Sequence, residues 1–398
     1  MFASKKILIG VTGGIAAYKT CEIIRELKRN QAEVRVVMTE PAKKFITPLT
    51  LATLSENPVL AEMFVDDDST TTIHIEAARW ADVVLICPAT ANTIGKIAGG
   101  VADNLLTTLV MATTAPVIFC PAMNKEMFNN RLYQSNVEKL QRAGYHFVQS
   151  EVGELACGEY GWGRLADSVH ILNMLKKVVF GTDALKGKRI LVTAGRTEEP
   201  LDPVRFITNY SSGKMGFALA EAAALRGADV TLISGPNNLK PFDGVTYSEI
   251  QTSDQMAALV KREIGDQNIV IMAAAVADFK PTIFSTQKIK KGSLASSINL
   301  ERTTDILKEL GKNKGDKLLV GFAVETENEL DSAQTKLKEK NLDLIVLNNP
   351  LEQGAGFRGD TNIVTLIDAK GNAERLPLMS KHQVANKILD KIILLLKE

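Results

Sequence analysis

The same opening occurs twice in this chain: a short apolar run that ends at a glycine and leads into a helical pattern. Residues 6–13 read KILIGVTG, and residues 189–195 read RILVTAG. An apolar strand that passes through a glycine turn into a helix begins a βαβ unit, and such units build parallel sheets. The repeat therefore predicts two α/β domains in tandem.

Short apolar runs alternate with helical patterns after each opening. The first half has predicted strands at residues 7–11, 33–38, 83–87 and 116–120, with a helix at 16–29, and the second half has strands at 229–234, 269–274, 318–323 and 344–347. This alternation favours an α/β fold with two doubly wound, mostly parallel sheets. Residues 361–368 and 373–376 predict an edge hairpin around Ala369-Lys-Gly-Asn372, and residues 381–397 predict a final amphipathic helix.

A short polar stretch, GTDALKGK at residues 181–188, separates the two series. A chain of 398 residues is also longer than one hydrophobic core usually serves. We therefore expect a first domain at residues 1–182 and a second domain at residues 188–398.

The charge balance and the cysteines narrow the class of protein. A formal net charge of +1 gives no field that would steer the chain onto nucleic acid, so small molecules are the expected partners. Cys21, Cys87, Cys120 and Cys157 lack any C-x-x-C spacing, which argues against a zinc site or a disulfide framework and favours the reducing cytoplasm. No run reaches the roughly 18 apolar residues of a membrane span, so we expect a soluble protein.

Gly13 and Gly14 lie between the first strand and its helix, where backbone N–H groups can meet a phosphate. The spacing is not G-x-G-x-x-G, and Met38-Thr39 stands where a dinucleotide fold would place an acidic residue for the ribose. A mononucleotide phosphate is therefore favoured over NAD. The alternative is a glycine turn that only packs the helix on the strand.

Two segments that follow predicted strands carry unusual side chains. Residues 88–93 (PATANT) offer small side chains and hydroxyls that could lie against a planar ring. Residues 121–124 (PAMN) place Asn124 where its amide could hold a carboxylate. Both segments could instead be turns with helix caps.

His74 and Cys157 are further candidates. His74 opens the helical stretch at residues 73–80, where a histidine is more often structural. Cys157 lies in GELACGEYGWGR at residues 153–164. The four glycines of this segment are too flexible for a core element, while Tyr160 and Trp162 are too apolar for a loop without a function. This composition indicates a mobile lid that carries a thiol.

Nearly the whole first half resembles the homo-oligomeric FMN-containing cysteine decarboxylases. The resemblance lies in six motifs, in order along the chain: the glycine turn, His74, PATAN, Asp103-Asn104-Leu105, PAMN and ACGxxGxGR. The resemblance implies that FMN oxidises a cysteinyl thiol toward a thioaldehyde, which eases loss of the adjacent carboxylate. It implies that His74 is the active-site base, that Asn124 binds the substrate carboxylate, and that Cys157 protonates the enethiolate as the hydride returns. It assigns FMN binding to Gly13, Gly14, Thr39, Thr90, Asn92 and Thr93.

The second half has its own candidate segments. Residues 209–216 (NYSSGKMG) offer a second phosphate cradle at Ser212 and Gly213. Residues 273–278 (AAAVAD) follow a strand and end at Asp278, which is suited to a nucleotide or a metal, and residues 288–291 (KIKK) form a basic loop that could face a triphosphate. The alternatives are a capped helix start and a solvated surface.

Together with GFAVET at residues 321–326 and KNLDLI at 340–345, these motifs resemble bacterial phosphopantothenate-cysteine ligases from about residue 188 to near the C-terminus. The resemblance implies that CTP and Mg²⁺ activate phosphopantothenate as an acyl cytidylate, which the cysteine amine attacks, with Asn209 holding that intermediate and Lys288 assisting its turnover. It assigns nucleotide binding to Ser212, Gly213, Ala274, Asp278, Lys288, Asp305, Ile306, Phe322, Lys336 and Lys340, and it leaves the metal ligands open. Residues 303–306 read TTDI where the family commonly has Asn-Pro-Asp-Ile, which puts the nucleotide contacts of that loop in question.

The two resemblances together imply a bifunctional enzyme of coenzyme A biosynthesis, with a flavodoxin-like or Rossmann-like FMN domain followed by a Rossmann-like ligase domain. The ligase product, phosphopantothenoylcysteine, would be the decarboxylase substrate, and phosphopantetheine would be the final product. The resemblances also imply homo-oligomers, in which decarboxylase trimers with sites across subunit contacts and ligase dimers can build a dodecamer.

Two other functions stay open at this point. A tandem NAD(P)-dependent oxidoreductase is supported by the two glycine turns and opposed by the missing ribose-binding acids. A regulatory or scaffold protein could keep the pockets without turnover, but the chain retains His74, Asn124 and Cys157.

Overall fold

The computed structural model describes residues 1–63, 72–290, 297–325, 329–354, 356 and 359–397, and of Glu329 the backbone only. Lys291 and Thr326, which belong to two of the sequence motifs, lie outside the described residues. The chain divides into two units, Met1–Phe180 and Gly181–Glu398. Among the described helices, none combines the length and the apolar character that crossing a bilayer requires.

The first unit is built on a parallel sheet. Its strands are β1 (Lys6–Val11), β2 (Glu33–Met38), β3 (Val59–Leu60), β4 (Val83–Ala89), β5 (Val117–Pro121) and β6 (His146–Phe147), followed by β7 (Glu151–Glu154) and β8 (Tyr160–Arg164), which form a separate antiparallel hairpin. The main sheet has the order β3-β2-β1-β4-β5-β6 with every neighbouring pair parallel. This is the strand order of a Rossmann-type fold.

Helices cover both faces of this sheet. They are α1 (Thr20–Arg29), α2 (Pro48–Ser55), α3 (Ile73–Trp80), α4 (Ala91–Ala98), α5 (Leu105–Ala112), α6 (Lys125–Asn129), α7 (Arg131–Arg142) and α8 (Ser168–Phe180), with 3₁₀ helices at Ile15–Lys19 and Glu40–Lys44. Along β1, Ile7 and Ile9 enter the core on one face, and Leu8 enters the core on the other. The strand is therefore buried on both sides, as its unbroken apolar run predicts.

The second unit repeats this plan with a larger sheet. Its strands are β9 (Arg189–Ala194), β10 (Glu198–Pro200), β11 (Phe206–Thr208), β12 (Asp229–Ser234), β13 (Thr246–Glu249), β14 (Ile269–Met272), β15 (Phe279–Pro281), β16 (Leu300–Arg302), β17 (Leu318–Val324), β18 (Leu344–Asn348), β19 (Thr361–Asn362), β20 (Thr365–Asp368), β21 (Ala373–Arg375) and β22 (Met379–Ser380). Eight of these strands form the main sheet in the order β13-β12-β9-β14-β17-β18-β20-β21, which is parallel as far as β18. The shorter strands pair antiparallel as β10–β11, β15–β16 and β19–β22.

The helices of the second unit are α9 (Lys214–Leu225), α10 (Ser253–Glu263), α11 (Ile306–Lys312), α12 (Glu329–Glu339) and α13 (Lys381–Leu395), with a 3₁₀ turn at Ile264–Asp266. Ile190 and Val192 of β9 pack against one face, and Leu191 packs against the other. The predicted fold, two doubly wound α/β domains, is therefore confirmed.

Three local predictions were wrong in detail. The first helix does not begin at residue 16, because a 3₁₀ turn at Ile15–Lys19 separates the glycines from α1. The predicted strand at residues 361–368 is two strands: Thr365–Asp368 forms the edge hairpin, and Thr361–Asn362 pairs with Met379–Ser380 instead. The strand predicted at 269–274 ends at Met272, where the chain turns toward the candidate site.

Candidate active sites

The first candidate site lies where the strand order of the first sheet reverses, between β1 and β4. Thr12, directly after β1, donates from Oγ1 to the carbonyl oxygen of Pro88 at 2.7 Å, and the N–H of Thr90 donates to the same hydroxyl at 3.1 Å. The glycine turn and the PATANT segment, which are far apart in sequence, are thereby tied together. Crevices at such switch points are where open α/β sheets bind ligands.

The two glycines of this turn have different surroundings. A Cβ on Gly13 would stand 2.5 Å from Cβ of Pro41, so a side chain there would collide with the segment that follows β2. A Cβ on Gly14 would meet only Cγ2 of Thr90, at 3.6 Å, so room is left at the mouth of the crevice. Gly14 therefore keeps its candidacy as a phosphate contact.

The other predicted FMN residues lie at the same edge of the sheet. Thr90 caps α4 and accepts the N–H of Thr93 at 3.4 Å, and its hydroxyl donates to Thr93 Oγ1 at 3.1 Å. Thr93 is buried and Asn92 is exposed. Thr39 follows β2 and donates its N–H to the carbonyl of Val11 at 3.0 Å, which holds the end of β2 against β1.

The Cys157 segment is not an irregular loop but the hairpin β7–β8, with Cys157 in its turn. A Cβ on Gly163 would stand 2.3 Å from the carbonyl oxygen of Met123, and one on Gly161 would stand 2.7 Å from Cδ of Lys125. Trp162 stacks on Phe128 with ring centroids 6.1 Å apart. These two glycines therefore allow the hairpin to press against the PAMN segment.

This docking brings Asn124 and Cys157 together. The Oδ1 atom of Asn124 caps α6 by accepting the N–H of Glu126 at 2.8 Å, which turns its Nδ2 atom toward the hairpin. That nitrogen donates to Cys157 Sγ at 3.4 Å and to Glu159 Oε2 at 2.9 Å, and Cys157 Sγ lies 3.7 Å from Glu159 Oε2. The sequence analysis did not identify Glu159.

Cys157 is also the exposed member of the four free cysteines. Cys87 and Cys120 are buried, and burial, together with the neighbouring Cys87, raises the pKa of the Cys120 thiol well above its ordinary value. A buried thiol of that kind is inert. The exposed thiol of this unit is the one beside Asn124.

His74 stands apart from this pair. It is half-buried in the first turn of α3, and within the described residues no hydrogen bond or ion pair joins it to Asn124 or Cys157. Its helix is held beside α5 by the hydroxyl of Thr113, which donates to the carbonyl of Ala78 at 3.2 Å.

The second candidate site occupies the corresponding position in the second sheet, beyond the carboxyl ends of β9 and β14. The segments that follow these strands stay paired, because the N–H of Ala275 donates to the carbonyl of Gly195 at 2.8 Å. The N–H of Ala274 is held by Thr193 Oγ1 at 3.2 Å. Asn209 joins them by donating from Nδ2 to the carbonyl of Val276 at 3.0 Å.

The TTDI loop connects to the same place. Thr303 donates from its hydroxyl to the carbonyl of Ala277 at 2.6 Å, and its N–H donates to the carbonyl of Asp278 at 3.0 Å. Asp278 is exposed. The departure from Asn-Pro therefore leaves the loop attached to the Asp278 segment through threonine bonds.

Asp305 and Lys340, both predicted nucleotide contacts, pair with each other. Asp305 caps α11 through the N–H of Lys308 at 3.0 Å, and Lys340 Nζ lies 2.9 Å from Asp305 Oδ2. Burial acts to raise the pKa of Asp305, but the hydrogen bonds from Lys340 and Lys308 outweigh it and lower that pKa. One turn earlier on α12, Lys336 pairs with Glu325 at 2.5 Å.

The remaining predicted residues are divided between the two faces of the sheet. Ile306 is buried in the core that also contacts Ala274, whereas Phe322 packs against the core on the opposite face. Gly213 is the N-cap residue of α9 with a φ of +76°, and its N–H donates to Ser211 Oγ at 3.2 Å. Ser212 precedes it at the same helix start.

Lys288 is exposed on the segment between β15 and β16, and two residues that the sequence analysis missed hold that segment. The buried carboxylate of Asp202 accepts the N–H of Ile289 at 3.2 Å, and Arg205 donates to the carbonyl of Ile289 at 2.8 Å. Asp202 also accepts the N–H groups of Val204 and Arg205 at 2.8 and 2.9 Å. An Asp-Pro-x-Arg turn inside a polar segment was the sequence signal that could have identified them.

Within the described residues, no group of three or more His, Cys, Asp or Glu side chains is arranged to hold a metal ion. A magnesium ion that arrives with nucleotide phosphates needs few protein ligands.

Comparison with known proteins adds the family context. The sequence matches the family described as "Flavoprotein" over residues 1–180 and the family described as "DNA/pantothenate metabolism flavoprotein C-terminal domain" over residues 185–395. "Coenzyme A biosynthesis bifunctional protein CoaBC" of Bacillus subtilis (strain 168) is 45% identical over 401 residues, which cover 100% of this chain and 99% of the relative.

Two further similarities concern single activities or domains. A protein named "Cysteine/Cysteine sulfinic acid decarboxylase", from an unknown prokaryotic organism, is 46% identical over 356 residues, 88% of this chain and 99% of that protein. The crystal structure of the C-terminal domain of a coenzyme A biosynthesis bifunctional protein CoaBC is 44% identical, covers 54% of this chain and 99% of its own, and gives a TM-score of 0.48.

Proposed function

Because this chain belongs to the family of coenzyme A biosynthesis bifunctional proteins, we propose that its first unit decarboxylates phosphopantothenoylcysteine with FMN and that its second unit makes this conjugate from phosphopantothenate, cysteine and CTP. The chain is a flavoprotein and a bifunctional decarboxylase and ligase of coenzyme A biosynthesis. The domains proposed for the two reactions are residues 1–182 and 188–398. The observation that carries the proposal for the first unit is the contact between Asn124 and Cys157.

The crevice of the first unit suits FMN. Gly14 leaves room at the mouth, and Thr12, Thr90 and Thr93 supply hydroxyls around it. FMN would supply a hydride acceptor that later returns the hydride, so that the cycle is redox neutral. We assign its binding to Gly13, Gly14, Thr39, Thr90, Asn92 and Thr93.

The residues of the first unit then have separate roles. Asn124, whose amide nitrogen faces the hairpin, would hold the carboxylate of the substrate cysteine until it leaves as CO₂. Cys157, an exposed thiol beside Asn124, would donate its proton to the carbon of the enethiolate. His74 would act as the base that removes the substrate thiol proton.

The ligase reaction would take place around Asn209. The carboxylate of phosphopantothenate would displace pyrophosphate from CTP to give the acyl cytidylate, and the cysteine amine would then displace CMP. Asn209, fixed on the carbonyl of Val276, would hold the acyl group, and Lys288 would offset the negative charge during both displacements. The proposed nucleotide contacts are Ser212, Gly213, Ala274, Asp278, Asp305, Ile306, Phe322, Lys336 and Lys340.

Three finer proposals follow from the same family membership. Mg²⁺ would enter with CTP rather than occupy a site of its own. The chain would form homo-oligomers, through trimers of the first unit and dimers of the second. The cytoplasm is the proposed location, and four free cysteines are consistent with its reducing conditions.

The test is the mass of the product after incubation of the purified protein with phosphopantothenate, cysteine, CTP and Mg²⁺. We expect phosphopantetheine, and we expect none when CTP is omitted or replaced by ATP. Free cysteine and cysteine sulfinic acid are supplied alone in parallel, because one relative carries those substrates in its name. CO₂ release from free cysteine but not from the conjugate would contradict the proposal for the first unit.

A further inference from the structure

Glu159 occupies the hydrogen-bond donor that the substrate carboxylate is expected to use. Nδ2 of Asn124 donates to Glu159 Oε2 at 2.9 Å, which is the length of a charge-assisted hydrogen bond. The other end of the same amide is committed, because Oδ1 of Asn124 accepts the N–H of Glu126 at 2.8 Å. The amide therefore cannot rotate to offer a second face without losing its helix cap.

The hairpin turn holds Glu159 in this position. The N–H of Leu155 donates to the carbonyl of Glu159 at 2.8 Å, and Gly158, with a φ of +81°, closes the turn between them. The strand β8 that follows is pressed against Met123 and Lys125. The side chain of Glu159 itself is exposed, so it can leave Asn124 for water at little cost.

We propose that Glu159 is a built-in stand-in for the substrate carboxylate: it holds the hairpin on Asn124 in the free enzyme and is displaced by the carboxylate of the incoming substrate. This inference rests on the proposed decarboxylase function. It makes Glu159 a positioning residue that lowers the affinity for ligands carrying the carboxylate and leaves the affinity for the decarboxylated product unchanged. The bound product has no carboxylate and does not compete with Glu159.

The test compares substrate and product in the full-length, flavin-loaded protein. For Glu159→Gln we expect the KM for phosphopantothenoylcysteine to fall roughly fivefold with little change in kcat, because a neutral amide competes less well for Asn124. The inhibition constant of phosphopantetheine should stay unchanged. Glu159→Ala, which removes the competing group altogether, should lower the KM at least as far.

Glu154→Gln is the matched control. Glu154 is an exposed carboxylate on β7 of the same hairpin, and the same charge is removed without touching Asn124. We expect both constants to stay at the wild-type values in this variant. This control separates competition at Asn124 from a general effect of charge on an anionic substrate.

Two results would overturn the inference. If Glu159→Gln changed the constants for substrate and product by the same factor, Glu159 would act on the hairpin in general and not on the carboxylate. If the KM stayed the same or rose, Glu159 would not compete with the substrate. If the wild type released no CO₂, the proposed function would fail. The role of Glu159 could still be decided by measuring the binding of both ligands to wild type and variant through the change in flavin absorbance.

Discussion

Asn124 and Cys157 are brought together by hydrogen bonds that individually belong to ordinary local structure. Asn124 is a helix cap, and Cys157 lies in a hairpin turn, and each arrangement is common in proteins without catalytic function. Their combination leaves one amide donor and one exposed thiol within 3.4 Å of each other. A decarboxylation followed by protonation needs a hydrogen-bond donor for the carboxylate and, beside it, a group that donates a proton.

Cys157→Ser tests the role of that thiol. A hydroxyl is a far weaker acid than a thiol, so we expect flavin binding and CO₂ release to continue while formation of phosphopantetheine falls by about 100-fold or more. The measurement is a mass spectrum of the quenched reaction, in which a species two hydrogens lighter than phosphopantetheine should accumulate. Normal product formation would remove Cys157 from the mechanism.

At the scale of residues, the sequence predicted Asn124 and Cys157 as site residues but did not identify Glu159 or Asp202. Asn124 and Cys157 stand in motifs with family-specific spacing, so the resemblance could name them. Glu159 is an unremarkable exposed acid in the sequence, and its contact depends on the fold of the β7–β8 turn. Asp202 was missed for the same reason, because its partner Ile289 is 87 residues away.

At the scale of elements, the glycines of the β7–β8 hairpin were interpreted as signs of mobility, and three of them, Gly153, Gly161 and Gly163, lie at points of close approach. Gly163 adopts a φ of +118°, and a Cβ there would overlap the carbonyl oxygen of Met123. Composition alone cannot distinguish a flexible glycine from one that is required by a neighbour. The hairpin is docked against the PAMN segment, and its position sets the distance between Asn124 and Cys157.

Gly163→Ala tests this docking. We expect it to destabilise the first unit by about 2 kcal/mol more than Gly144→Ala, because both positions have positive φ but only Gly163 adds a clash. The measurement is flavin release during urea unfolding, together with the rate of decarboxylation, which should fall in Gly163→Ala alone. Equal stability losses in the two variants would show that strain, and not the contact with Met123, accounts for the glycine.

The edge hairpin of the second unit gives a prediction that depends on pH. Asp368 accepts the N–H groups of Lys370 and Asn372 at 3.1 and 3.0 Å, and its other oxygen accepts from Lys391 at 2.8 Å. Burial acts to raise the pKa of Asp368, and these bonds outweigh it, which lowers the pKa from 3.8 to about 2. Its stabilising contribution is therefore present above pH 3.8 and is lost as the pH falls toward 2.

We expect Asp368→Asn to lower the free energy of unfolding of the second unit by about 1–2 kcal/mol at neutral pH and by less at pH 3. Urea unfolding of wild type and variant at both values measures the difference. Asp316→Asn, which alters an exposed carboxylate of the same unit, should have little effect at either pH. A loss for Asp368→Asn that did not shrink on acidification would mean that the carboxylate charge is not what stabilises the turn.

Strands β2 and β12 begin and end as predicted: each opens on an exposed acidic residue, Glu33 or Asp229, and most of the residues that follow are buried. The ends of the more uniformly apolar strands were less predictable, since β4 continues to Ala89 and β14 ends at Met272. The split of residues 361–368 was not predictable, since it depends on the pairing of Thr361–Asn362 with Met379–Ser380. The 3₁₀ turn at Ile15–Lys19 was also missed, because the residue pattern there continues into α1. The position of the edge hairpin was correct because Asp368 and Gly371 form a local turn.

At the scale of the whole molecule, the two units place their candidate sites by the same rule, each at the point where its strand order reverses. Each site is held by bonds between segments of its own unit: Thr12 joins the ends of β1 and β4, and Ala275 joins the ends of β9 and β14. A substitution in one site should therefore leave the other reaction intact. This independence can be tested because the proposed product of the second unit is the proposed substrate of the first.

Two inactive variants should restore the complete reaction when they are mixed. Asn209→Ala should abolish conjugate synthesis and keep decarboxylation, whereas Cys157→Ser should keep synthesis and fail at the final protonation. Neither protein alone should convert phosphopantothenate, cysteine and CTP to phosphopantetheine, but the mixture should, after a lag in which free conjugate accumulates. The lag follows from diffusion of the conjugate between molecules, and added conjugate should abolish it in the presence of Asn209→Ala. The mixture could also stay inactive while Asn209→Ala still decarboxylated supplied conjugate. That result would mean that the conjugate does not leave the protein that makes it, and that the two units act on it in succession within one assembly.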